Sequence, residues 1–295
     1  MQVIPKSKFT YLYDGKAVPA ATVKPGEVFQ VETEDAFNGL IKKESDCTPE
    51  NIEKIVHRSN PLTGPVKIEG AEPGDTVSIH ILSIECLEYG VSILGDHFGP
   101  VSHLFPKHVA KIVPISGGAA HFNEKIKIPL EPMIGSIGVA SDEETIFSWK
   151  QGHYGGNMDC KEVKAGSILQ LPVSVPGAML VMGDVHGIQG DGEMCNPFEV
   201  PAKITLKVEL IKNKKISNPR VLTPDKIMTI ASGRTFEACS NEAFIALANW
   251  LAEDYGFTFN DACFLLGQVA DVRACQIANT MHTVRCEMPA RYVSN

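Results

Sequence analysis

The sequence has 295 residues, of which 44% are hydrophobic and 21% are charged, and its formal net charge at pH 7 is −8. A chain of this size and composition can form a globular core without disulfides or a structural metal. The acidic balance, with no block of Lys or Arg, argues against nucleic acid and anionic membranes as partners.

The N-terminal segment MQVIPKSKFTYLYDG lacks the apolar stretch of a signal peptide. No uninterrupted apolar run approaches the length of a membrane span. The eight cysteines are scattered and include no CxxC pair, which favours reduced thiols over a disulfide framework. We therefore expect a cytoplasmic protein.

Most of the chain is predicted to form β-strands. In chain order, the predicted strands cover residues 28–33, 76–82, 109–113, 125–128, 168–173 and 203–210. Alternation of apolar and polar residues is clearest at 76–82 and 203–210, where it is typical of strands with one wet face. A turn glycine precedes an apolar strand in KPGEVFQVET, EPGDTVSIHI and KAGSILQLPV, at irregular spacing. The pattern predicts a mainly β fold, either β-sandwich-like or built from two related β-halves.

A long helix is predicted late in the chain, at residues 240–255. Apolar side chains recur there at the spacing of one helix face, which places Leu247 and Leu251 toward the core. Ser240 is predicted as the N-cap, and Gly256 as the left-handed stop.

A shorter helix is predicted next, opened by Thr258 or Asn260 and closed at Gly267. The chain then returns to strand at residues 274–277 and 283–287. The architecture is therefore β-rich with a late helical hairpin insertion, and no internal domain boundary is predicted.

The segment GDVHGIQGDGE, residues 183–193, concentrates polar side chains after an apolar run. Asp184 and His186 lie two apart and so point the same way on a strand. The glycines that flank Asp191 let the chain turn and bring Asp191 and Glu193 back toward them. Carboxylate and imidazole are common zinc ligands, and a remaining carboxylate can act as general base. The alternative is an ordinary Asp-Gly turn with a hydrogen-bonded histidine.

Two other glycine-hinged clusters carry the same residue types. LGDHFGP contains Asp96 and His97, and QGHYGGNMD contains Asn157 and Asp159. Each cluster alone is equally typical of a polar turn. Three of them in one chain favour a composite metal site, whose predicted ligands are Asp184, His186, Asp96, His97 and Asp159.

The motifs ETEDAFNG, NPLTGP, GDHFGP, GGNMD, LPVSVPGAML, GDVHGIQGDGE and EMPARY follow one another in that order. Together they resemble the acetamidase/formamidase family over essentially the whole chain, residues 1–295, as a single domain. The resemblance implies a β-rich fold, a bound divalent metal, and hydrolysis of short aliphatic amides to carboxylate and ammonia. One position departs from the expected pattern: Ala36 stands where a cysteine is expected after Asp35, which weakens any role for that acidic segment.

The resemblance, together with the three clusters, predicts a metal-dependent amidohydrolase. The metal, zinc first and calcium as a second choice, is held by Asp184 and His186 with help from the other clusters. Glu193 or Asp191 moves a proton from water to the departing nitrogen, which leaves poorly unless protonated. Asn157 donates a hydrogen bond to the developing oxyanion.

The predicted substrate-binding residues are Gln189, Phe98 and Trp149. The expected partners are a small amide and a second copy of the chain, with a homodimer favoured among oligomers. One rival is a non-catalytic β-sandwich module that binds calcium, although its histidines do not suit that ion. Another is an amidase with Cys160 or Cys195 as nucleophile, whereas such cysteines are more often small buried apolar side chains.

Overall fold

The computed structural model describes residues 1–142 and 145–293. Its strands, in chain order, are β1 Gln2–Ile4, β2 Phe9–Thr10, β3 Leu12–Tyr13, β4 Ala21–Val23, β5 Val28–Thr33, β6 Leu62–Ile68, β7 Thr76–Cys86, β8 Tyr89–Leu94, β9 Val109–Ser116, β10 Ala119–His121, β11 Lys127–Pro129, β12 Met133–Gly138, β13 Ile146–Phe147, β14 Gln151–Gly152, β15 Gly155–Asn157, β16 Ile168–Pro172, β17 Leu180–His186, β18 Ala202–Ile211, β19 Arg220–Leu222, β20 Lys226–Gly233, β21 Asp271–Gln276 and β22 His282–Pro289. Its α-helices are α1 Pro49–His57, α2 Phe236–Tyr255 and α3 Phe259–Val269, and short 3-10 helices occupy Glu44–Asp46, Ser102–Leu104 and Ala290–Tyr292.

Most strands belong to two large sheets, and the others form a four-stranded sheet in the order β11-β10-β9-β8 and the pair β13–β3. The first has nine strands in the order β1-β5-β18-β7-β16-β19-β20-β22-β21, and the second has seven in the order β14-β15-β12-β17-β6-β2, with β4 beside β6 counted outside that path. The pairs β1–β5 and β4–β6 are parallel, whereas the main ladders are antiparallel. Strand content of 40% against 17% helix confirms the predicted mainly β fold.

One apolar core lies between the two large sheets. It contains Phe29 and Ile79 from the nine-stranded sheet together with Val66 and Val181 from the seven-stranded sheet, all fully buried. This packing of inner faces is that of a β-sandwich. The three glycine-led segments noted in the sequence become β5, β7 and β16, which all belong to the nine-stranded sheet rather than to two separate halves.

The helical hairpin covers the outer face of the nine-stranded sheet. Along β20, Met228 and Ile230 belong to the sandwich core, whereas Ile227 and Ala231 pack against the helices. This alternation follows from the two-residue period of a strand. Within the described ranges, no helix combines the length and the apolarity needed to cross a membrane.

Helix α2 confirms the predicted burial of Leu247 and Leu251, which are both 0% exposed. Its start differs from the prediction, because Thr235 is the N-cap and its hydroxyl accepts from the backbone N–H three residues on. The hydroxyl of Ser240 instead donates to the carbonyl four residues back, inside the helix. The apolar periodicity therefore located the helix but not its first turn.

The remaining boundaries follow local capping. Gly256 ends α2 with φ 75°, as predicted, and Thr258 caps α3. Helix α3 continues past Gly267, where the predicted end is wrong, because that glycine does not adopt a left-handed φ. Helix α1 was not predicted, although Thr48 caps it and Pro49 occupies its first position.

Every predicted strand has a counterpart, and several are longer than predicted. The largest shift at a strand start is at 271–276, which begins three residues before the predicted start at 274. The segment predicted at 125–128 is observed two residues later, as Lys127–Pro129.

Candidate active site

Strand β17 carries Asp184 and His186 to its C-terminal end. The register between β12 and β17 passes from Ile134↔Val185 to Ser136↔Gly183 and omits Asp184, which has φ 58°. Both side chains are nonetheless buried, with His186 Nε2 3.5 Å from Asp184 Oδ1. The structure therefore brings the two together by a local kink rather than by regular alternation.

Glu199 is the third member of this group and was missed from the sequence. The chain returns after the glycine-rich loop and forms a bridge between Glu199 and His186. Glu199 Oε1 lies 3.3 Å from His186 Nε2, and Asn196 donates to the same oxygen at 3.3 Å. A carboxylate set between Phe198 and Val200 in an apolar context was the available signal, because buried charges need partners.

Gln189 orients the His186 ring. His186 Nδ1 lies 2.7 Å from Gln189 Oε1, and Gln189 Nε2 donates to the carbonyls of Asp159 and Cys275. These two donations leave Oε1 as the acceptor, so His186 Nδ1 carries a hydrogen and Nε2 faces Asp184 and Glu199. Gln189 was predicted to bind substrate, but it contacts His186 Nδ1, the ring nitrogen that faces away from Asp184 and Glu199.

Asp159 and Glu193 form a second carboxylate pair beside His186. Candidate ligand atoms of Asp159, His186 and Glu193 all lie within 4.8 Å of one another, as do those of Asp184, His186 and Glu199. Both oxygens of Asp159, Glu193 Oε2 and Glu199 Oε2 are buried and accept no hydrogen bond from the described residues. Because unpaired buried carboxylate oxygens are costly, this donor set fits a cation.

Burial and neighbouring charges shift the pKa values of the acidic groups and of His186. Burial, with the charges of Glu193 and Asp184, raises the pKa of Asp159 well above its usual range. Burial also raises the pKa of Glu193 to about 7 and that of Glu199 to about 8, against the lowering effect of His186. Burial alone would lower the pKa of His186, but Glu199 and Asp184 raise it well above its ordinary value. A divalent cation among these groups would displace their protons.

A polar network supports Asp184 from the side away from His186. Asn60 Nδ2 donates to Asp184 Oδ2 at 2.9 Å and to Asn157 Oδ1 at 3.0 Å. Ser136 Oγ lies 2.9 Å from Asp184 Oδ2 and 2.5 Å from Asn157 Oδ1. Asn157 therefore joins the site as predicted, whereas Asn60 and Ser136 were not predicted.

The backbone is strained where the site is built. Positive φ angles occur at Asn60 (55°), His97 (73°), Asp159 (48°), Asp184 (58°) and Glu193 (45°). Such angles in non-glycine residues are uncommon and cost roughly 1–3 kcal/mol each. Four of these residues, all but Asp159, line one cavity, and such a concentration is typical of a functional site.

A cavity of about 120 Å³ opens onto this group. Its inner wall is formed by Asn60, Asn157, Asp184, Glu193 and Glu199. Its outer wall includes the side chains of His97, Phe98 and Trp149. Phe98 and Trp149 thus border the cavity, and their contact with a substrate stays a prediction. The volume admits only a small molecule.

Two predicted metal ligands do not reach the carboxylate group. Asp96 and His97 are 73% and 64% exposed, and they lie 3.6 Å from each other. His97 borders the cavity from outside, while Asp96 does not line it. Their loop has no strand to carry these side chains inward, so the predicted ligation by both is not supported.

Asp191 also points elsewhere, although it lies two residues from Glu193. Arg285 donates to its two oxygens at 2.7 and 3.1 Å, and Lys161 lies 3.2 Å away. Burial raises the pKa of Asp191, but the Arg285 guanidinium outweighs this effect and holds it below the usual value. Asp191 therefore belongs to an ion-pair network and not to the cavity, which contradicts its predicted proton transfer.

The two candidate nucleophilic thiols do not line the cavity either. Cys160 is fully buried in the sandwich core, and Cys195 is exposed on another surface depression. Cys160 thus has the position of a packing side chain.

The chain matches the model of the Acetamidase/Formamidase family over residues 13–154 and 150–278. An acetamidase from Mycolicibacterium smegmatis is 25% identical over 92% of this chain and 88% of its own length. A putative formamidase from Schizosaccharomyces pombe is 27% identical over 66% of this chain, which spans only 62% of that protein.

A solved structure of an acetamidase shares the fold of this chain. The crystal structure of an acetamidase from Bacillus halodurans superposes with a TM-score of 0.93 and 33% identity, covering 98% of each chain.

Proposed function

Because the chain belongs to the acetamidase/formamidase family, we propose that it hydrolyses short aliphatic amides of the formamide and acetamide class to a carboxylate and ammonia. The observation that carries this proposal is the cavity of about 120 Å³, which is lined by the carboxylates of Asp184, Glu193 and Glu199 and by carboxamides. The His186 ring lies next to two of these carboxylates. A small polar substrate fits such a volume. The two family matches, over residues 13–154 and 150–278, together run through most of the chain and support one unit over residues 1–295 without an internal boundary.

A divalent metal fits the donor set of Asp184, His186 and Glu199. The supporting observations are the single free nitrogen of His186, the approach of Asp184 and Glu199 to it, and the unpaired carboxylate oxygens nearby. One imidazole with carboxylates suits zinc, whereas calcium would use the oxygens alone. A metal bound there would supply Lewis acidity, lowering the pKa of water and polarising the amide carbonyl.

Glu193 is the proposed proton carrier. Its Oε2 is buried without a hydrogen-bond partner among the described residues, and it borders the cavity. It would accept the proton of the attacking water and deliver it to the departing nitrogen. Asp159, beside it, would share that proton.

Asn157 is the proposed oxyanion donor. Its Oδ1 is occupied by Asn60 and Ser136, so its Nδ2 is the group left to face the cavity. An N–H held in place before the reaction stabilises negative charge as it develops on the carbonyl oxygen.

The test compares four variants by ammonia release from acetamide and by metal content. His186→Ala should lose metal and activity together, because the remaining donors are all carboxylates. Glu193→Gln should keep the metal while activity falls by about 10²–10⁴, the usual contribution of a general acid or base. Cys160→Ser and Cys195→Ser should retain most activity.

The rivals give different results. A thiol mechanism would show one cysteine variant inactive and His186→Ala nearly unchanged. A calcium-binding module would show calcium alone and no ammonia release by the wild type. An active enzyme at full rate in chelator would overturn the metal proposal while leaving amide hydrolysis intact.

Two further proposals concern the cellular compartment of the protein and its oligomeric state. All eight cysteines are free thiols, which supports a reducing compartment such as the cytoplasm. A homodimer is proposed on the basis of the apolar surface of α3, where Phe259 and Phe264 are 44% and 75% exposed. Light scattering measures the oligomeric state directly.

A further inference from the structure

The acceptors around Asn60 determine the orientation of its carboxamide. The nitrogen of that group lies 2.9 Å from Asp184 Oδ2 and 3.0 Å from Asn157 Oδ1. An ionised carboxylate can only accept, so the atom that faces Asp184 must be the NH₂. Both N–H groups of Asn60 are therefore engaged, and its Oδ1 is directed away from these two partners.

The oxygen of Asn60 is left for a molecule in the cavity. Among the described residues none donates to this Oδ1, and the oxygen is not fully buried. Asn60 also forms part of the cavity wall. Its Oδ1 is therefore an accessible acceptor held by a rigid network.

The two carboxamides together complement an amide group. Asn157 presents its NH₂ to the cavity because its oxygen is taken by Asn60 and Ser136. The site thus offers one acceptor, on Asn60, and one donor, on Asn157. A primary amide has an N–H for the first and a carbonyl oxygen for the second, whereas an ester of the same acyl group has no N–H.

We propose that Asn60 is a specificity-determining residue whose Oδ1 accepts an N–H of the substrate's amide nitrogen, so that the enzyme prefers amides over esters of the same acyl group. This inference rests on the proposed amide hydrolysis. An acceptor placed for an N–H disfavours the analogue without it, because two oxygen atoms then face each other without a hydrogen.

The test measures kcat/KM for acetamide and for methyl acetate in the wild type and in three variants. Asn60→Gly removes the acceptor and tolerates the positive φ of 55° at this position. It should lower kcat/KM for acetamide roughly tenfold more than for methyl acetate, as expected for one hydrogen bond. Asn60→Asp keeps an oxygen at this position and should preserve the amide-to-ester ratio while both rates fall.

Ser136→Ala is the matched control. Ser136 is bonded to the same Asp184 and Asn157 oxygens but is fully buried and does not line the cavity. This variant should lower kcat/KM for acetamide and for methyl acetate by the same factor. If methyl acetate is not turned over, its inhibition constant against acetamide hydrolysis replaces its kcat/KM in the ratio.

The outcomes distinguish a failure of the proposed amide hydrolysis from a failure of the proposed role of Asn60. A wild type that releases no ammonia from any short amide would overturn the proposed function. An active wild type in which Asn60→Gly lowers acetamide and methyl acetate equally would overturn the role of Asn60 alone.

Discussion

Asp184 uses its two oxygens for different purposes. Oδ2 accepts from Asn60 and lies within hydrogen-bonding distance of Ser136, while Oδ1 faces His186. His186 is likewise held through Nδ1 by Gln189 and presents Nε2. Such outer contacts fix the orientation of ligating groups and tune their basicity. At the residue scale, the site therefore depends also on Ser136 and Gln189, which do not line the cavity.

Gly135, on β12, leaves room for the side chains of Asp159 and Asp184 beside it. A Cβ at this position would lie 2.6 Å from Asp159 Oδ1 and 2.7 Å from the Asp184 carbonyl oxygen. We expect Gly135→Ala to reduce metal content and activity together and to lower the free energy of unfolding by about 1–3 kcal/mol. Gly267→Ala is the control: nothing lies within 4 Å of its added Cβ, so the helix should become slightly more stable with activity unchanged. A fully active Gly135→Ala enzyme would contradict this view of the site.

Asp35 is predicted to make stability depend on pH. Burial raises its pKa to about 6, although two backbone N–H groups and Tyr89 donate to it. The folded state therefore binds this proton more tightly than the unfolded state, and the resulting stability is lost as pH rises through about 6. Asp35→Asn keeps the acceptor oxygen without the charge. Its free energy of unfolding, relative to wild type, should increase by up to about 3 kcal/mol between pH 4 and pH 7. Denaturant titrations measure this, and a difference that does not change with pH would refute it.

At the element scale, helix α2 is positioned by its caps and by the sheet beneath it. Its buried face packs on Ile227 and Met288 of β20 and β22. Thr235 supplies the N-terminal cap and Gly256 the left-handed C-terminal residue. The helix thus begins where a side chain can satisfy a free backbone N–H, not where its apolar pattern begins.

The capping assignment predicts unequal effects for two similar substitutions. Thr235→Ala should lower the free energy of unfolding by about 1 kcal/mol, because it leaves a first-turn N–H without its acceptor. Ser240→Ala should be nearly neutral, since its hydroxyl donates only to a carbonyl inside the helix. Urea midpoints of the two variants provide the measurement. A larger loss in Ser240→Ala would show that the cap is assigned to the wrong residue.

At the scale of the whole molecule, the site lies where the two sheets meet. Asp184 and His186 come from the seven-stranded sheet, whereas the loop that carries Glu193 is tied to β22 of the nine-stranded sheet by Arg285. Arg285 is 1% exposed and also donates to Glu287 at 2.7 Å. This buried guanidinium therefore links the stability of the sandwich to the geometry of the site.

Removing this link should be costly. Arg285→Met conserves much of the volume but leaves Asp191 and Glu287 short of a buried cationic partner, and we expect a loss of about 3–5 kcal/mol in the free energy of unfolding. Arg273→Met removes a cation from the same network at a side chain that is 44% exposed. It should cost no more than about 1 kcal/mol. Similar losses in the two variants would mean that burial does not set the strength of the network.

The sequence by itself determined the types of the main elements and part of the site. Strand β18 and helix α2 were predictable because their two-residue and helical periods are local properties of the chain. The grouping of Asp184, His186 and Glu193 was also predictable, because they lie in one short glycine-rich segment.

Only the tertiary structure decided which other residues complete the site. Glu199 and Asn60 come to Asp184 and His186 through strand pairing and chain return, which no local pattern encodes. Asp191 turns away toward Arg285 although its sequence neighbourhood matches that of Glu193. The physical reason is that positive φ angles redirect individual side chains, and these angles are stable only because packing and hydrogen bonds from distant segments hold them.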